Sequence, residues 1–325
     1  MFRRRGIRMM GASRTHRQQR TGMDIQIMIT VSGLTKHYGD RIAVHELSFD
    51  VAAGRVTGFV GPNGAGKSTT MRMMVGLTRP DHGDVRYHGV PYTRLLRPAR
   101  IVGSVLDARC MHPGRTARNH LRATAALSAI SPDRIDEVLR EVGLESAADQ
   151  RAGSFSLGMR QRLALAGALL GEPEVLLLDE PSNGLDPDGI RWLRNSLSAF
   201  AARGGTVFVS SHLIGELEMF ADDLIVVGGG KLLAAESVSS TLARGRSTVV
   251  VRTPHAAELA GLLHRRDIEF DISHDRLSIH GATTATVSQL AFDHQIRVVE
   301  ITETSRSLEE ILLEMTSSVT EFASV

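Results

Sequence analysis

The run Gly61-Pro62-Asn63-Gly64-Ala65-Gly66-Lys67-Ser68 constrains this chain more than any other. It has the spacing G-x-x-x-x-G-K-S, in which glycines let the backbone curl and turn its N–H groups onto an anion. Thr57 to Val60, which leads in, reads as a strand, and Thr69 to Val75, which leads out, as a helix. That helix would add its positive N-terminal end to the concavity. Lys67 would bring a full charge to terminal phosphates and Ser68 a hydroxyl to Mg²⁺. A strand, a phosphate loop and a helix in that order imply an α/β fold with a buried sheet.

Charge is spread unevenly. Residues 1–22 hold seven Arg and no acid; taking these from the 38 Lys and Arg leaves 31 against 36 Asp and Glu, a net of −5. The body is therefore mildly acidic, which argues against general nucleic-acid binding. Residues 1–27 lack the apolar segment of a secretory signal and read as a disordered basic extension, with translation from Met23 or Met28. A basic arm touching lipid or nucleic acid is the alternative. Lysine occurs only at 36, 67 and 231, as codon usage in a GC-rich bacterial genome would give. Cys110 is the only cysteine, so no internal disulfide forms, in keeping with a reducing compartment. No apolar run approaches the ~18–20 residues of a membrane helix.

In chain order, Met28 to Val31 and Val44 to Val51 read as strands around a polar loop, Lys36 to Asp40. Tyr38 in that loop is either an ordinary loop aromatic or a platform for a base. Val85 to Tyr92 reads as a hairpin, and Val102 to Leu106 as a strand with Asp107 after it. Residues 115–150 read as helical, a lobe of their own over about 115–155. Ser156 to Arg162 opens a long helix, with Ser156 as N-cap and Gly158 in the first turn, again an anion-binding kind of start. Val175 to Leu178 is apolar throughout, as a central parallel strand should be, and Asp179 and Glu180 stand at its carboxyl end. Ligands bind at that edge of an open α/β sheet. There Asp179 is suited to hold Mg²⁺, and Glu180 to polarise a water for attack on a terminal phosphate. Asp186 and Pro187 start another helix, Thr206 to Ser210 forms another buried strand, and His212 follows at the same edge. Leu224 to Leu233 reads as a closing hairpin.

Residues 237–246 read as a linker. From 247 to 325 the order strand, helix, strand, strand, helix, strand is a ferredoxin-like pattern, followed by a short helix from Leu308 to Met315. This accessory domain carries six Arg against twelve acids and no cluster of metal ligands or nucleophiles.

Taken together, residues 28–236 resemble the nucleotide-binding subunit of ABC transporters. The phosphate loop is similar to that family's Walker A motif, Val175 to Glu180 to its Walker B, Gly184 to Pro187 to its D-loop, and His212 to its switch histidine. Ser156 and Gly158 match the Ser and second Gly of the signature LSGGQ, here Phe155-Ser156-Leu157-Gly158-Met159. Where the family usually carries a Gln that senses Mg²⁺ and the membrane partner, this chain has Asp107. A carboxylate also takes Mg²⁺, so Asp107 is carried over as a metal ligand.

The resemblance implies a P-loop ABC-type α/β domain with a helical lobe, beside a small α+β domain. It implies ATP and Mg²⁺ as cofactors. Tyr38 would stack on adenine, and Gly61, Pro62, Asn63, Gly64, Ala65, Gly66, Lys67, Ser68 and Thr69 would hold the phosphates. Ser68, Asp179 and Asp107 would face the metal, with Glu180 and His212 catalytic. It also implies a head-to-tail pair of ATPase subunits, each ATP capped by the other chain's Ser156 and Gly158. The Ser-Leu-Gly-Met signature and the acidic C-terminal domain are similar to ATPases serving drug, antibiotic or lipid exporters. Such a subunit sits at the cytoplasmic face of the membrane, through a separate integral membrane permease.

Two other classes compete. An ATPase acting on DNA would show a long heptad insertion or a cysteine zinc cluster and a basic body, and none is present. Translation-associated ATPases resemble two fused copies, whereas this chain has one phosphate loop. No nucleic-acid partner is expected.

Overall fold

A computed structural model describes residues 26–108, 111–212, 214–244, 248–304 and 306–320. The expected extension therefore lies, up to residue 25, outside the described residues, and so does Cys110.

The chain opens with a hairpin, β1 (Ile27–Tyr38) and β2 (Arg41–Ala52). Then come β3 (Val56–Val60), α1 (Lys67–Met74), β4 (His82–Tyr87), β5 (Val90–Pro91), α2 (Pro98–Ile101) and β6 (Val102–Val105). Helices α3 (Ala117–Leu127), α4 (Arg134–Glu141) and α5 (Leu157–Leu169) follow. After them come β7 (Val175–Asp179), α6 (Pro187–Ala202), β8 (Thr206–Ser211), α7 (Ile214–Glu218), β9 (Asp223–Gly228), β10 (Lys231–Ser237) and α8 (Val238–Arg244). The last part holds β11 (Thr248–Arg252), α9 (Ala256–His264), β12 (Phe270–Ser273), β13 (Arg276–His280), α10 (Thr284–Asp293), β14 (Glu300–Thr304) and α11 (Leu308–Thr320).

A six-stranded sheet in the order β10-β9-β3-β8-β7-β6 is the backbone of the larger body. Its strands are parallel except β10, which pairs antiparallel with β9 at one edge. Both faces are covered, so the inner strands are apolar throughout rather than alternating. Val175 and Leu177 of β7 enter one core, Leu176 and Leu178 the other. The first core lies under the antiparallel sheet β2-β1-β4-β5 and centres on three rings. Phe49 stacks on Phe208 at 5.7 Å between centroids, and Phe59 meets Phe208 at 5.1 Å. The second core is roofed by α3 to α6.

The expected polar loop at 36–40 is shorter than its composition suggests. Strand β1 runs through Tyr38, which pairs with Arg41, so only Gly39 and Asp40 turn. Asp81 holds this strand end: it accepts from the His37 backbone N–H at 2.7 Å and from Lys36 Nζ at 3.0 Å. Those two contacts, the backbone one first, lower the Asp81 pKa to about 2.

The helical lobe is pinned at its neck by a bridge between Thr116 and Arg151. Thr116 caps α3 by accepting from the Asn119 N–H, and the amphipathic α4 buries Ile135, Val138 and Leu139. Three-ten turns at Glu145–Ala147 and Ala152–Ser154 lead the chain out to α5.

The accessory sheet has the order β12-β13-β11-β14, antiparallel throughout, over a core of Val249, Val251, Leu277 and Ile279 roofed by α9 and α10. Order and pairing are those of the expected ferredoxin-like pattern. The segment 237–246, expected as a linker, is helical over Val238–Arg244. Ser237 Oγ accepts from the Ser240 N–H, and Val238 is buried in the larger body's core. The chain also comes back at its end. Leu308 and Leu312 of α11 are buried in that same core, beside α7 and α8. The Leu308 N–H reaches Glu218 Oε2 of α7 at 3.4 Å.

Leu312→Ala should therefore weaken the larger body itself, by about 2–5 kcal/mol. Trp192, the single tryptophan, lies on α6 in that body, so its fluorescence in urea reports the transition. An unmoved Trp192 midpoint would mean that α11 does not stabilise that body.

Candidate nucleotide site

Three consecutive neighbours in the sheet, β3, β8 and β7, run parallel and end at one edge. Their register decides what meets there. Asp179 lies opposite Ser210, so the residues that follow, Glu180 on one strand and Ser211 and His212 on the other, emerge side by side. The phosphate loop emerges from β3 on the other flank of β8.

The loop is held between two layers. A Cβ at Gly61 would lie 2.2 Å from the Val227 carbonyl, and one at Gly66 2.5 Å from the Ala43 carbonyl. Gly66 also has φ of +99°, a left-handed conformation that disfavours side chains. Ala65 faces inward and is buried, and its N–H bonds the Pro62 carbonyl at 3.1 Å. Gly66 is the N-cap of α1 and supplies no side-chain acceptor. The first N–H groups of that helix, from Lys67, Ser68 and Thr69, thus have no side-chain cap, as an anion site requires.

Lys67 is only 7 % exposed. Its Nζ donates to the Gly61 carbonyl at 2.6 Å and lies 3.7 Å from Glu180 Oε1. The other Glu180 oxygen, Oε2, takes the His212 backbone N–H at 3.2 Å and lies 2.6 Å from His212 Nδ1. Glu180 thus spans the interval between the ammonium and the imidazole. Its backbone is left-handed, with φ of +49°, and its N–H donates to Ser210 Oγ at 2.8 Å. The same hydroxyl donates to Asp179 Oδ1 at 2.6 Å, so Ser210 fixes both acids. Strain of this kind collects at functional positions.

A cavity of about 540 Å³ opens over these groups. Tyr38, Asn63, Gly64, Gly66, Lys67, Ser68, Thr69, Glu180 and His212 of the expected residues line it. Its walls suit a nucleotide triphosphate: a half-exposed aromatic ring at one end, then uncapped N–H groups, then a buried ammonium. Arg41, Ala43 and Asn183 also line it and went unnoticed in the sequence. Arg41 was detectable in principle, since a two-residue turn puts it across the hairpin from Tyr38. Ser68 and Asp179 offer a hydroxyl and a carboxylate at the same edge, a hard oxygen set of the kind Mg²⁺ takes.

Three expected residues lie elsewhere. Ser156 and Gly158 stand at the start of α5, where Ser156 Oγ accepts from the Met159 N–H at 3.2 Å. Ser156 is exposed, and Leu157 beside it packs near the loop at Gly184 and Leu185. Asp107 is exposed beyond β6 on the rim of a second groove, of about 350 Å³, formed with α3 and α5.

Comparison with known proteins gives this geometry its context. Residues 44–183 match the family model of the ABC transporter domain, and residues 247–309 match a domain of unknown function. The bacitracin transport ATP-binding protein BcrA of Bacillus licheniformis is 34 % identical over 296 residues, 89 % of this chain and 97 % of that protein. The Nod factor export ATP-binding protein I of Rhizobium sp. (strain N33) is 33 % identical over 299 residues, 90 % and 97 % of the two chains. Among solved structures, a dimeric bacterial ABC transporter cassette superposes with a TM-score of 0.60 at 25 % identity, covering 65 % of this chain and 99 % of that one. With a phosphate loop, a neighbouring pair of acids and relatives matched from end to end, the chain belongs to the ATP-binding proteins of ABC transporters and is an ATPase.

Proposed function

We propose that this ATPase drives export of a hydrophobic small molecule, a drug, an antibiotic or a lipid, through a separate membrane permease. The observation that carries the reading is the gathering of the phosphate loop, Lys67, Glu180 and His212 around one cavity, in a chain whose relatives are named for transport and export. Among the described residues no helix is long and apolar enough to cross a membrane, and no group of three or more His, Cys, Asp or Glu is placed to hold a metal. Energy from such a site leaves as motion. Relatives named for bacitracin transport and Nod factor export support the direction and the class of cargo.

In this reading ATP binds with adenine on Tyr38 and its phosphates on the loop from Gly61 to Thr69. Mg²⁺ would be held by Ser68 and Asp179, with Asp107 as a further carboxylate ligand, and would neutralise charge on the phosphates. Glu180 takes the proton of the attacking water, and His212, bonded to the same carboxylate, keeps it aimed at the terminal phosphate. Two chains close head to tail, so that Ser156 and Gly158 of each cap the other's ATP. Residues 28–236 act as the motor and 247–325 as the accessory unit. The permease grips the groove beside Asp107, formed with α3 and α5, since closure displaces the helical lobe. The chain then lies on the cytoplasmic face of the membrane.

Lys67→Ala removes charge-assisted bonds to phosphate, and fluorescent-ATP titration should show affinity lower by about ten- to a hundredfold. Unchanged affinity would remove Lys67 from the site. Glu180→Gln keeps the shape and loses the base, so turnover should fall roughly 10²–10⁴-fold. The same variant should accumulate as an ATP-dependent dimer in light scattering, and near-normal turnover would move the base elsewhere. For the exporter reading, the chain should fractionate with membranes when expressed with its neighbouring membrane gene. A chain that stays in the supernatant there, and sediments with DNA or ribosomes instead, contradicts it.

A further inference from the structure

Between Asp84 and Asp107 the sequence holds four arginines and no acid, inside a body whose net charge is negative. Arg86 is spoken for by Asp84, at 2.7 Å. Arg94, Arg97 and Arg100 are exposed, and none makes an ion pair or side-chain hydrogen bond among the described residues. In their midst Leu96 is 99 % exposed, on the short stretch between the three-ten turn Tyr92–Arg94 and α2. Its neighbour Leu95 packs inward on the core under the antiparallel sheet, so the tip is held from behind.

A second segment abuts this one. A Cβ at Gly76 would sit 3.3 Å from the Tyr92 ring and 3.7 Å from Thr93 Cγ2. The next residue, Leu77, is 72 % exposed, and Arg79 after it is exposed and unpaired in the same sense. Two leucines in solvent and four arginines without an ion pair among the described residues make one apolar, basic surface. The nucleotide site makes no use of it.

We infer that this patch rests on anionic phospholipid headgroups, with Leu96 and Leu77 dipping into the boundary below them. Apolar side chains flanked by arginine are the pattern of interfacial membrane contact, and each basic residue adds attraction to an anionic leaflet. A protein occupant fits the charge less well. The cytoplasmic loops of membrane proteins themselves carry an excess of Lys and Arg, which an arginine patch repels. Tyr92, Pro98 and Ala99 of the same segment line the groove proposed above for the permease, so the patch lies beside that groove. The lipid contact adds to that reading, and protein-free vesicles test it without the permease.

The test is flotation of the purified full chain with vesicles of phosphatidylcholine alone or mixed with phosphatidylglycerol. The wild type should float only with the anionic vesicles, and added salt should weaken the association. R94E/R97E/R100E should lower vesicle affinity at least about tenfold. L77S/L96S should lower it with the charge unchanged, and basal ATPase should stay at the wild-type level in both variants. The arginines of residues 1–22 are common to all three proteins. If both variants float like the wild type, that extension carries the binding and the patch does not. Failure of the wild type to float with anionic vesicles also overturns the inference. So would a triple variant that keeps vesicle binding but no longer copurifies with the co-expressed permease, since the patch would then be a protein-docking surface.

Discussion

Everything at the nucleotide site depends on one geometrical constraint, the parallel register of β3, β8 and β7. Parallel strands deliver their carboxyl ends to the same edge, and three adjacent ones deliver three loops within reach of one ligand. Lys67, the acids at 179 and 180, and His212 come from segments more than a hundred residues apart at their extremes. The Asp179–Ser210 pairing brings Glu180 to 2.6 Å from His212 Nδ1, and Lys67 Nζ stands 3.7 Å from the other oxygen of the same carboxylate. A shift of one residue in that register would turn Glu180 away from His212 and send each inner side chain of β7 into the opposite core.

The antiparallel sheet has a second role beyond covering the first core. Its β2 strand passes so close to the phosphate loop that the Ala43 carbonyl leaves no room for a side chain at Gly66. The hairpin that brings Ala43 there also brings Tyr38 and Arg41 to the mouth of the same cavity. Loop shape and the wall of the cavity at Tyr38 and Arg41 are therefore set by one hairpin, which Asp81 fastens through His37 and Lys36. Packing, rather than the loop's own glycines alone, keeps the cradle in a single conformation.

The accessory domain is joined to the motor at both ends. The chain leaves through α8, whose Val238 is buried in the motor's core, and returns through α11, whose Leu308 and Leu312 share that core. Helix α11 lies beside both α8 and α7, and α7 begins two residues after His212. The helix that follows His212 and the helix that returns from the accessory domain thus share packed side chains, and interiors packed to this density transmit small shifts.

The sequence by itself determined the local chemistry. A phosphate loop, an apolar strand ending in Asp179 and Glu180, and a capped helix at Ser156 are written in runs of a few residues. Their meaning lies in backbone freedom, charge and periodicity. The βαββαβ order of the accessory domain was legible for the same reason, because strand and helix periods show in single segments. Tertiary structure alone decided what depends on long-range pairing. Ala43 and Asn183 enter the cavity because of how the sheets and the loop after β7 pack, and no short pattern marks them. Residues 237–246 looked like a linker because Ser and Arg dominate them, yet Val238 and Thr241 find a buried face to fill. The return of α11 was hidden too, since an amphipathic helix declares that it must bury a face and does not declare which body it will bury it in.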